Sequence, residues 1–254
     1  MENIFFKKRE HVAIVSINHP PANTWDLKTM EEFGQVVDQV ENDPEFRVMI
    51  ITGSGERFFS AGFDVKDAAN TPKISPMGRS IWKQIDRFSK PVIAAINGTA
   101  LGGGFELALA CHFRFMTDSP EAVIGLTELN LGIIPGWGGT QRMANLIGYN
   151  NAQEMILLSK TISPEQALKI GLVYQVCPPD LLIDIALIFA QNLAKRPPIA
   201  VACVLKAMSA GKYEGIDQGL KIEEQGSLYV RNTEDCNEGF TAFLEKRDPV
   251  FKGV

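Results

Sequence analysis

Glu106 lies in a stretch whose residue types could support proton transfer. It follows three consecutive glycines, Gly102 to Gly104, which come after an apolar run and precede a helix-forming run. On a helix, its neighbours three and four positions away all lack polar side chains: Gly102, Gly103, Leu109 and Ala110. This pattern predicts a buried carboxylate. Burial without a formal partner raises a carboxyl pKa and suits it to proton transfer near neutral pH.

Glu128 is a second candidate, 22 positions further along (128 − 106 = 22). It also sits among apolar residues, ahead of the turn Pro135-Gly-Trp-Gly-Gly139. Two carboxylates, each next to an amide-rich turn, suggest paired general acid and base chemistry. Spacing alone leaves open a loop glutamate that is satisfied by Thr140 or Arg142.

The glycine run itself has two readings. Backbone amides at a helix start can point at an anion, and the helix dipole adds to the attraction, so an oxyanion could bind there. Such turns also serve tight packing alone, and both readings stay open. The run matches neither the GxGxxG dinucleotide fingerprint nor the GK[ST] phosphate loop.

The elements that must position these residues change character along the chain. Strands and helices alternate in the N-terminal part, which predicts an α/β architecture with right-handed crossovers, and the pattern becomes mainly helical from Gly139 onward. We predict a core at residues 1–195 and a helical oligomerisation region at residues 196–254. The polar, proline-containing segment 68–80 is expected to be mobile and to contribute to the substrate pocket. The predicted strands are 11–17, 48–52 and 92–96, and the predicted helices are 27–41, 140–147, 152–158, one starting at Ser163, 181–195, 200–208 and 215–239. Asp26 is expected to cap the first of these helices, and Ser163-Pro-Glu-Gln166 has the spacing of a capping box.

Composition narrows the classes of function. The chain has 254 residues, 45% of them hydrophobic, and a net charge of −5, which gives no global attraction for nucleic acid or an anionic membrane. No apolar segment reaches the roughly 18 to 20 residues of a membrane span, and the N-terminus does not resemble a signal peptide. The four cysteines are scattered, as expected for reduced thiols in the cytoplasm. His11, His19 and His112 share no metal-ligand spacing, so no metal is expected.

Three blocks resemble the signatures of the crotonase (enoyl-CoA hydratase/isomerase) family, and they occur in the family's order. They are Phe58-Phe-Ser-Ala-Gly-Phe-Asp-Val-Lys66, Lys90-Pro-Val-Ile-Ala-Ala-Ile-Asn-Gly-Thr-Ala-Leu-Gly-Gly-Gly-Phe-Glu-Leu-Ala108 and Pro135-Gly-Trp-Gly-Gly-Thr-Gln-Arg142. The resemblance extends over essentially the whole chain. It implies a spiral of ββα turns with a helical C-terminal region that builds a trimer or a dimer of trimers.

The resemblance also implies roles for individual residues. The amides of Phe63 and Gly103 would form an oxyanion hole for a thioester carbonyl, a type of donor worth about 3 to 4 kcal/mol of barrier each. Ionised Glu106 would activate water for attack at Cβ of a 2-enoyl-CoA, and Glu128 would protonate Cα. Coenzyme A would be part of the substrate, with no other cofactor.

Further positions match the family's binding segments. Ala61 lies where the backbone meets the adenine, and Asp64, Val65 and Lys66 continue along the coenzyme. Gly136 matches an amide that helps to hold the water. Trp137 either packs the turn or limits the acyl length.

Several alternatives stay open from the sequence. Within the family, an isomerase can run on the Glu128 position alone, and a specialised thioester, including a carrier-bound one or one that is decarboxylated, is not excluded; retention of Glu106 favours hydration. RNA binding, known for some family members, is disfavoured by the acidic charge balance and the lack of a basic helix. The basic residues Lys246, Arg247 and Lys252 are read as a solvated face, or as contacts to coenzyme phosphates. A homo-oligomer is predicted because five apolar C-terminal residues need a partner surface: Leu228, Tyr229, Phe240, Phe243 and Leu244.

Overall fold

The computed structural model describes residues 1–254, which form nine strands and ten α-helices. Two short 3₁₀ segments, Val65–Asn70 and Glu128–Leu131, complete the elements. The strands are β1 Ile4–Arg9, β2 Val12–Ile17, β3 Val48–Gly53, β4 Phe58–Ser60, β5 Val92–Ile96, β6 Thr99–Leu101, β7 Phe113–Thr117, β8 Ile124–Gly125 and β9 Gln175–Cys177. The helices are α1 Leu27–Asn42, α2 Thr71–Asp86, α3 Gly103–Ala110, α4 Gly139–Ile147, α5 Tyr149–Leu157, α6 Pro164–Lys169, α7 Leu182–Ala194, α8 Pro198–Glu214, α9 Ile216–Val230 and α10 Glu234–Glu245.

The strands form two sheets. The larger has the order β1-β2-β3-β5-β7-β9 and is parallel except for the β1-β2 hairpin, whereas the smaller, β4-β6-β8, is fully parallel. Between β3 and α4 the chain repeats one path three times. A strand in the larger sheet is followed by a strand in the smaller sheet and then by a helix: β3-β4-α2, β5-β6-α3 and β7-β8-α4. The α/β spiral of ββα turns predicted from the sequence is confirmed.

Side-chain alternation along the larger sheet separates two cores. In β3, Met49 and Ile51 face the main core of 44 buried residues, while Val48 and Ile50 face a smaller cluster under α7. Successive side chains of a strand point to opposite faces, and near-continuous apolar strands are typical of a parallel sheet that is covered on both sides. Both faces of the larger sheet are therefore buried. A functional site is expected at the ends of the crossover connections and not on a face of the sheet.

Local sequence signals account well for some helix starts. The Asp26 carboxylate accepts a hydrogen bond from the Thr29 amide at 2.7 Å and caps α1, as predicted. Ser163 and Gln166 form the predicted capping box at the start of α6. Both signals act over three residues, which is why the sequence alone sufficed.

The structure differs from the expected elements in several places. Residues 68–80, expected to be mobile, are helical in the structure, because Pro72 occupies the first turn of α2, where its missing N–H costs nothing, and an apolar face that includes Ile74 and Ile81 is buried. The single helix predicted over residues 215–239 is two helices, α9 and α10. The break falls before Thr233, whose hydroxyl caps α10 by accepting from the Cys236 amide. Strand β1 was not predicted, because it is an edge strand and most of its side chains are exposed.

Helices α8 to α10 form the C-terminal helical region. Helices α8 and α9 pack closely through glycines, since a methyl group on Gly219 would lie 2.8 Å from the Gly211 Cα. The division between residues 195 and 196 falls in the short connection between α7 and α8 and stays a prediction. None of the helices is both long and apolar enough to cross a membrane.

Candidate active site

Helix α3 carries the first candidate glutamate and is short and wholly buried. All eight of its residues are shielded from solvent, and its first residue is Gly103. Because the first N–H groups of a helix have no partner within it, the Gly103 amide is available at this end. The Trp82 indole N–H donates to the Gly103 carbonyl at 3.0 Å, which holds the first peptide of the helix in place.

Each glycine of the 102–104 run is required by a different close neighbour. A methyl group on Gly103 would lie 2.3 Å from the Trp137 ring, and one on Gly104 would lie 2.3 Å from the Ser60 carbonyl oxygen. Gly102 has a φ of +50° and faces the Glu128 carboxyl, which a methyl group would approach to 3.2 Å. Packing therefore accounts for the run. The same close approach also brings the amide-bearing backbone to the second glutamate.

The Glu106 carboxyl is buried but not without partners. Glu106 is only 2% exposed. Its Oε1 accepts hydrogen bonds from the Trp137 amide at 2.8 Å and from the Gly139 amide at 2.7 Å. Burial raises the pKa of Glu106, while the amides of Gly139 and Trp137 and the charge of Arg142 oppose that rise. The surroundings thus provide donors that favour the ionised form in a place that water hardly reaches.

Glu128 has different surroundings. It begins the 3₁₀ segment after β8, it is buried, and its Oε2 has no hydrogen-bond partner. Burial and then the nearby charge of Glu106 raise the pKa of Glu128 to about 7. The alternative reading of Glu128 as a loop residue satisfied by Arg142 is not what the structure shows, because Arg142 binds Asp86 and the Trp137 carbonyl instead. Buried carboxyl oxygens normally have a hydrogen-bond partner, so the Glu128 Oε2 is available to a ligand.

The two backbone segments expected to supply oxyanion donors are neighbours. The Gly62 carbonyl accepts from the Trp25 amide at 2.9 Å, and the Asp64 amide donates to the Trp25 carbonyl at 3.2 Å, so the backbone on both sides of Phe63 is held. A methyl group on Gly62 would lie 3.0 Å from the Gly103 nitrogen. Phe63 and Gly103 therefore lie in neighbouring backbone segments, although 40 residues separate them in the sequence (103 − 63 = 40).

One cavity of about 300 Å³ brings most of the predicted residues together. Its lining includes eight of the ten: Ala61, Phe63, Val65, Gly103, Glu106, Glu128, Gly136 and Trp137. Trp137 is almost fully buried, and its ring lies edge-on to Trp82 at 5.2 Å between centroids. The Trp137 ring closes one part of the cavity with apolar surface, and Trp82 packs against that ring.

Asp64 and Lys66, the other two predicted residues, lie outside this cavity. They line a neighbouring polar depression together with Asp26 and Asn70. The Asp64 carboxylate accepts from the Thr24 hydroxyl at 3.1 Å and from the Lys66 amide at 2.9 Å, so it caps the 3₁₀ segment. Of the basic C-terminal residues, Arg247 is paired with Glu238 and Glu245 at the surface.

Sequence reasoning missed the apolar rim of the cavity. Leu131, Ile133 and Ile134 line it and are each more than half exposed. Thr71 and Ser75 of α2 line the same cavity, as predicted for segment 68–80. A signal was available, since apolar residues between Glu128 and Pro135 stand in a glycine- and proline-bounded loop where polar residues are the norm. An exposed apolar rim around a small cavity is typical of a ligand entrance.

The fold and this site define a class of protein. Two buried carboxyl groups of unequal environment line one cavity on a ββα spiral. The enoyl-CoA hydratase/isomerase family model matches residues 7–254. The chain belongs to this family.

Relatives with assigned names agree with that placement. The chain is 38% identical over 253 residues to a short-chain-enoyl-CoA hydratase of Clostridium acetobutylicum, covering 97% of this chain and 96% of the relative. It is 39% identical over 260 residues to a carnitinyl-CoA dehydratase of Citrobacter koseri, with 99% of both covered. A crystal structure of enoyl-CoA hydratase from Bacillus anthracis is 41% identical, with a TM-score of 0.95 and coverage of 99% of this chain and 100% of that one.

Proposed function

We propose that this protein is an enoyl-CoA hydratase, which adds water reversibly and with syn geometry across the double bond of a 2-enoyl-CoA thioester. The observation that carries the proposal is the unequal pair of carboxyls on one cavity. Glu106 is held by two amide donors, which favour its ionised form, whereas Glu128 has an unpartnered oxygen and a pKa raised to about 7. One buried base beside one buried acid is what addition of water requires.

The proposed steps assign one proton transfer to each carboxyl. Ionised Glu106 takes a proton from water as the water oxygen bonds to Cβ, and the electron pair of the double bond moves to the thioester oxygen. The amides of Phe63 and Gly103 stabilise that enolate. Neutral Glu128 then delivers its proton to Cα. Exchange through solvent moves the proton that Glu106 took from water to Glu128, which returns the pair to its starting state.

We propose further that the acyl group is short. A cavity of about 300 Å³ is at the small end of the range for ligand pockets, and Trp137, packed against Trp82, closes one part of it. The short-chain relative supports this reading. The coenzyme would extend past Ala61 and Val65 toward Asp64 and Lys66.

We also propose a homotrimer or a dimer of trimers in the cytoplasm. Apolar side chains of α9 and α10 are each more than half exposed and need a covering surface: Leu228, Tyr229, Phe240, Phe243 and Leu244. The four cysteines are free, as suits a reducing compartment.

The test is a spectrophotometric panel of 2-enoyl-CoA and 3-enoyl-CoA esters of graded length, measured on the parent and on Glu106→Gln and Glu128→Gln. Each amide is nearly isosteric with its acid, so binding should survive while proton transfer is lost. We expect each variant to lower kcat by about 10²- to 10⁴-fold with little change in KM. Because the two groups act on one reaction, the double variant should fall well short of the product of the single effects.

Two outcomes would favour other activities of the family. If Glu106→Gln hydrates crotonyl-CoA at the parental rate while Glu128→Gln alone abolishes the shift of a 3-enoyl-CoA double bond, the enzyme is an isomerase running on Glu128. If the parent hydrates no 2-enoyl-CoA of any length, a specialised acyl thioester takes the place of the simple substrate, as the carnitinyl-CoA dehydratase relative suggests.

A further inference from the structure

Four polar side chains from three helices meet next to the turn at residues 135–139. The Trp137 and Gly139 amides of this turn, called the catalytic turn below, donate to Glu106. Asp86 is the last residue of α2, Arg142 lies in the first turn of α4, and Lys212 and Tyr213 lie near the end of α8. The Arg142 Nε donates to the Asp86 carboxylate at 3.0 Å, and the side chains of both residues are only 8% exposed. Lys212 donates to the other Asp86 oxygen at 2.9 Å, and the Tyr213 hydroxyl donates to Asp86 as well.

Arg142 also reaches the turn itself. Its Nη1 donates to the Trp137 carbonyl at 2.7 Å, and the amide of the same residue, Trp137, donates to Glu106. One guanidinium thus joins Asp86 to the residue that supplies a donor to the carboxyl. A planar guanidinium can make both bonds at a fixed angle, which an ammonium group cannot do.

Two adjacent glycines allow Arg142 and Glu106 to contact the same turn. A methyl group on Gly138, where φ is +106°, would lie 2.2 Å from the Arg142 Nη1. A methyl group on Gly139 would lie 2.8 Å from the Glu106 Cγ. The guanidinium and the carboxylate therefore close on the same turn from opposite sides, each against a position that has no side chain.

We propose that Arg142 is a positioning residue for Glu106, fixed by Asp86 and, through Asp86, by Lys212 and Tyr213 of α8. The proposal deepens the hydratase mechanism above and rests on it for the role of Glu106 as the base. It assigns to α8, in the C-terminal region, a share in setting the geometry of the catalytic turn. Arg142 touches neither substrate nor the reacting atoms and acts only through the turn.

The charges around the cluster are consistent with this role. Burial opposes ionisation of Asp86, but Arg142, Tyr213 and Lys212 together lower its pKa, so Asp86 stays charged. The charge of Asp86 also acts to raise the pKa values of the neighbouring groups Cys111, His112 and Arg114. The charged groups that act on Glu106 are Arg142, which favours its ionised form, and Glu128, whose own pKa Glu106 raises.

If the cluster only held α2, α4 and α8 together, the expected outcome would differ from that of a positioning role for Arg142. Such a tie would affect only stability, whereas positioning affects the titration of Glu106 and kcat. Titration of Glu106 can be followed without any turnover. We would record the carboxyl band of unliganded protein by infrared difference spectroscopy in a Glu128→Gln background, with the Glu106→Gln/Glu128→Gln variant as the blank, so that coupling between the two carboxyls is removed.

The variants separate charge from geometry. Arg142→Gln removes a cation that favours ionised Glu106, so the pKa of Glu106 should rise and kcat should fall by about 10- to 100-fold with KM nearly unchanged. Arg142→Lys should restore the pKa of Glu106 but not kcat, because it cannot bind Asp86 and the Trp137 carbonyl together. Asp86→Asn keeps the Arg142 cation but removes the charge that fixes the position of the guanidinium. We therefore expect kcat to fall without a rise in the pKa of Glu106.

Arg47 offers a matched control. Its guanidinium also donates to two backbone carbonyls, those of Ala194 at 3.0 Å and Phe251 at 2.9 Å, but it does not contact the catalytic turn. Arg47→Gln should change thermal stability and leave kcat and the pKa of Glu106 as in the parent.

The proposal is overturned if folded Arg142→Gln keeps the parental pKa of Glu106 and parental kcat, or if Arg47→Gln moves both as far as Arg142→Gln does. If Arg142→Gln does not fold, Arg142→Lys and Asp86→Asn decide, since parental kcat in both would equally overturn it. A parent that hydrates no 2-enoyl-CoA would defeat the proposed function but not this inference, because the infrared titration still reports whether Arg142 sets the state of Glu106.

Discussion

A single added methyl group at Gly103 should displace Trp137 and with it one donor to Glu106. The Cβ of an alanine at this position would lie 2.3 Å from the Trp137 ring, whereas ordinary contacts begin at 3.4 Å. The ring or the start of α3 must therefore move by 1.1 Å (3.4 − 2.3). Both movements meet resistance, since α3 is wholly buried and Trp137, although it borders the cavity, packs against Trp82 and Gly78 on its other sides. We expect Gly103→Ala to lower the free energy of unfolding by about 1 to 3 kcal/mol.

The same displacement should reduce activity. The Trp137 amide is a 2.8 Å donor to Glu106, and misplacement of a catalytic group by 1 Å can cost about 10²-fold in rate. We expect kcat of Gly103→Ala to fall by about that factor for crotonyl-CoA. Because the Gly103 amide is retained in the variant, the loss reflects geometry and not the removal of an oxyanion donor.

Two other glycines supply matched controls. A methyl group on Gly78 of α2 would approach the Trp137 ring to 2.6 Å from a side that carries no catalytic amide. Gly78→Ala should therefore lower kcat and stability in the same direction as Gly103→Ala but less, since a shift of 0.8 Å suffices (3.4 − 2.6) and alanine favours the helix by about 0.5 to 1 kcal/mol. A methyl group on Gly136 would have no neighbour nearer than 3.8 Å, so Gly136→Ala should melt like the parent.

Thermal melting, tryptophan fluorescence and steady-state hydration of the three variants decide the matter. If Gly103→Ala melts with the parent and keeps its fluorescence and kcat, the close packing of Trp137 is refuted. If Gly103→Ala loses activity while Gly78→Ala keeps its parental kcat despite a shifted fluorescence, the loss arises at the Gly103 amide and not at Trp137.

Four further predictions concern Glu128, the oligomeric state and the binding of coenzyme A. Neutral Glu128 is the proposed proton donor and its pKa is raised to about 7, so kcat should fall as pH rises through about 7. Glu106→Gln removes a negative charge next to Glu128 and should lower the pKa of Glu128, and an unchanged carboxyl titration would contradict this. The raised pKa also means that the contribution of Glu128 to stability is full below pH 4.5 and is lost as pH rises through about 7, which urea unfolding across that range should detect. Light scattering should find a trimer or hexamer, and a stable monomer at micromolar concentration would remove that proposal. Calorimetry should show binding of coenzyme A in the presence of a chelator, whereas binding only with a divalent ion would contradict the expectation of no metal.

The sequence by itself determined those features that depend on residues close together in the chain. Helical periodicity around Glu106 predicted its burial, because neighbours three and four positions away are set by the helix itself. The caps at Asp26 and Ser163 followed from spacings of three residues. The three signature blocks, taken with the resemblance, predicted the fold class and most of the residues that line the cavity.

Only the tertiary structure decided which partners those residues have. The donors to Glu106 come from positions 31 and 33 residues away, and Arg142 binds Asp86, 56 residues away, instead of the nearby Glu128. The helical state of residues 68–80 also depended on the burial of Ile74 and Ile81 against other segments. Local propensity cannot determine such pairings, because they arise from the angle and distance at which the crossover helices pack on the sheets. A shift of 1 Å in that packing is enough to replace one hydrogen-bond partner by another.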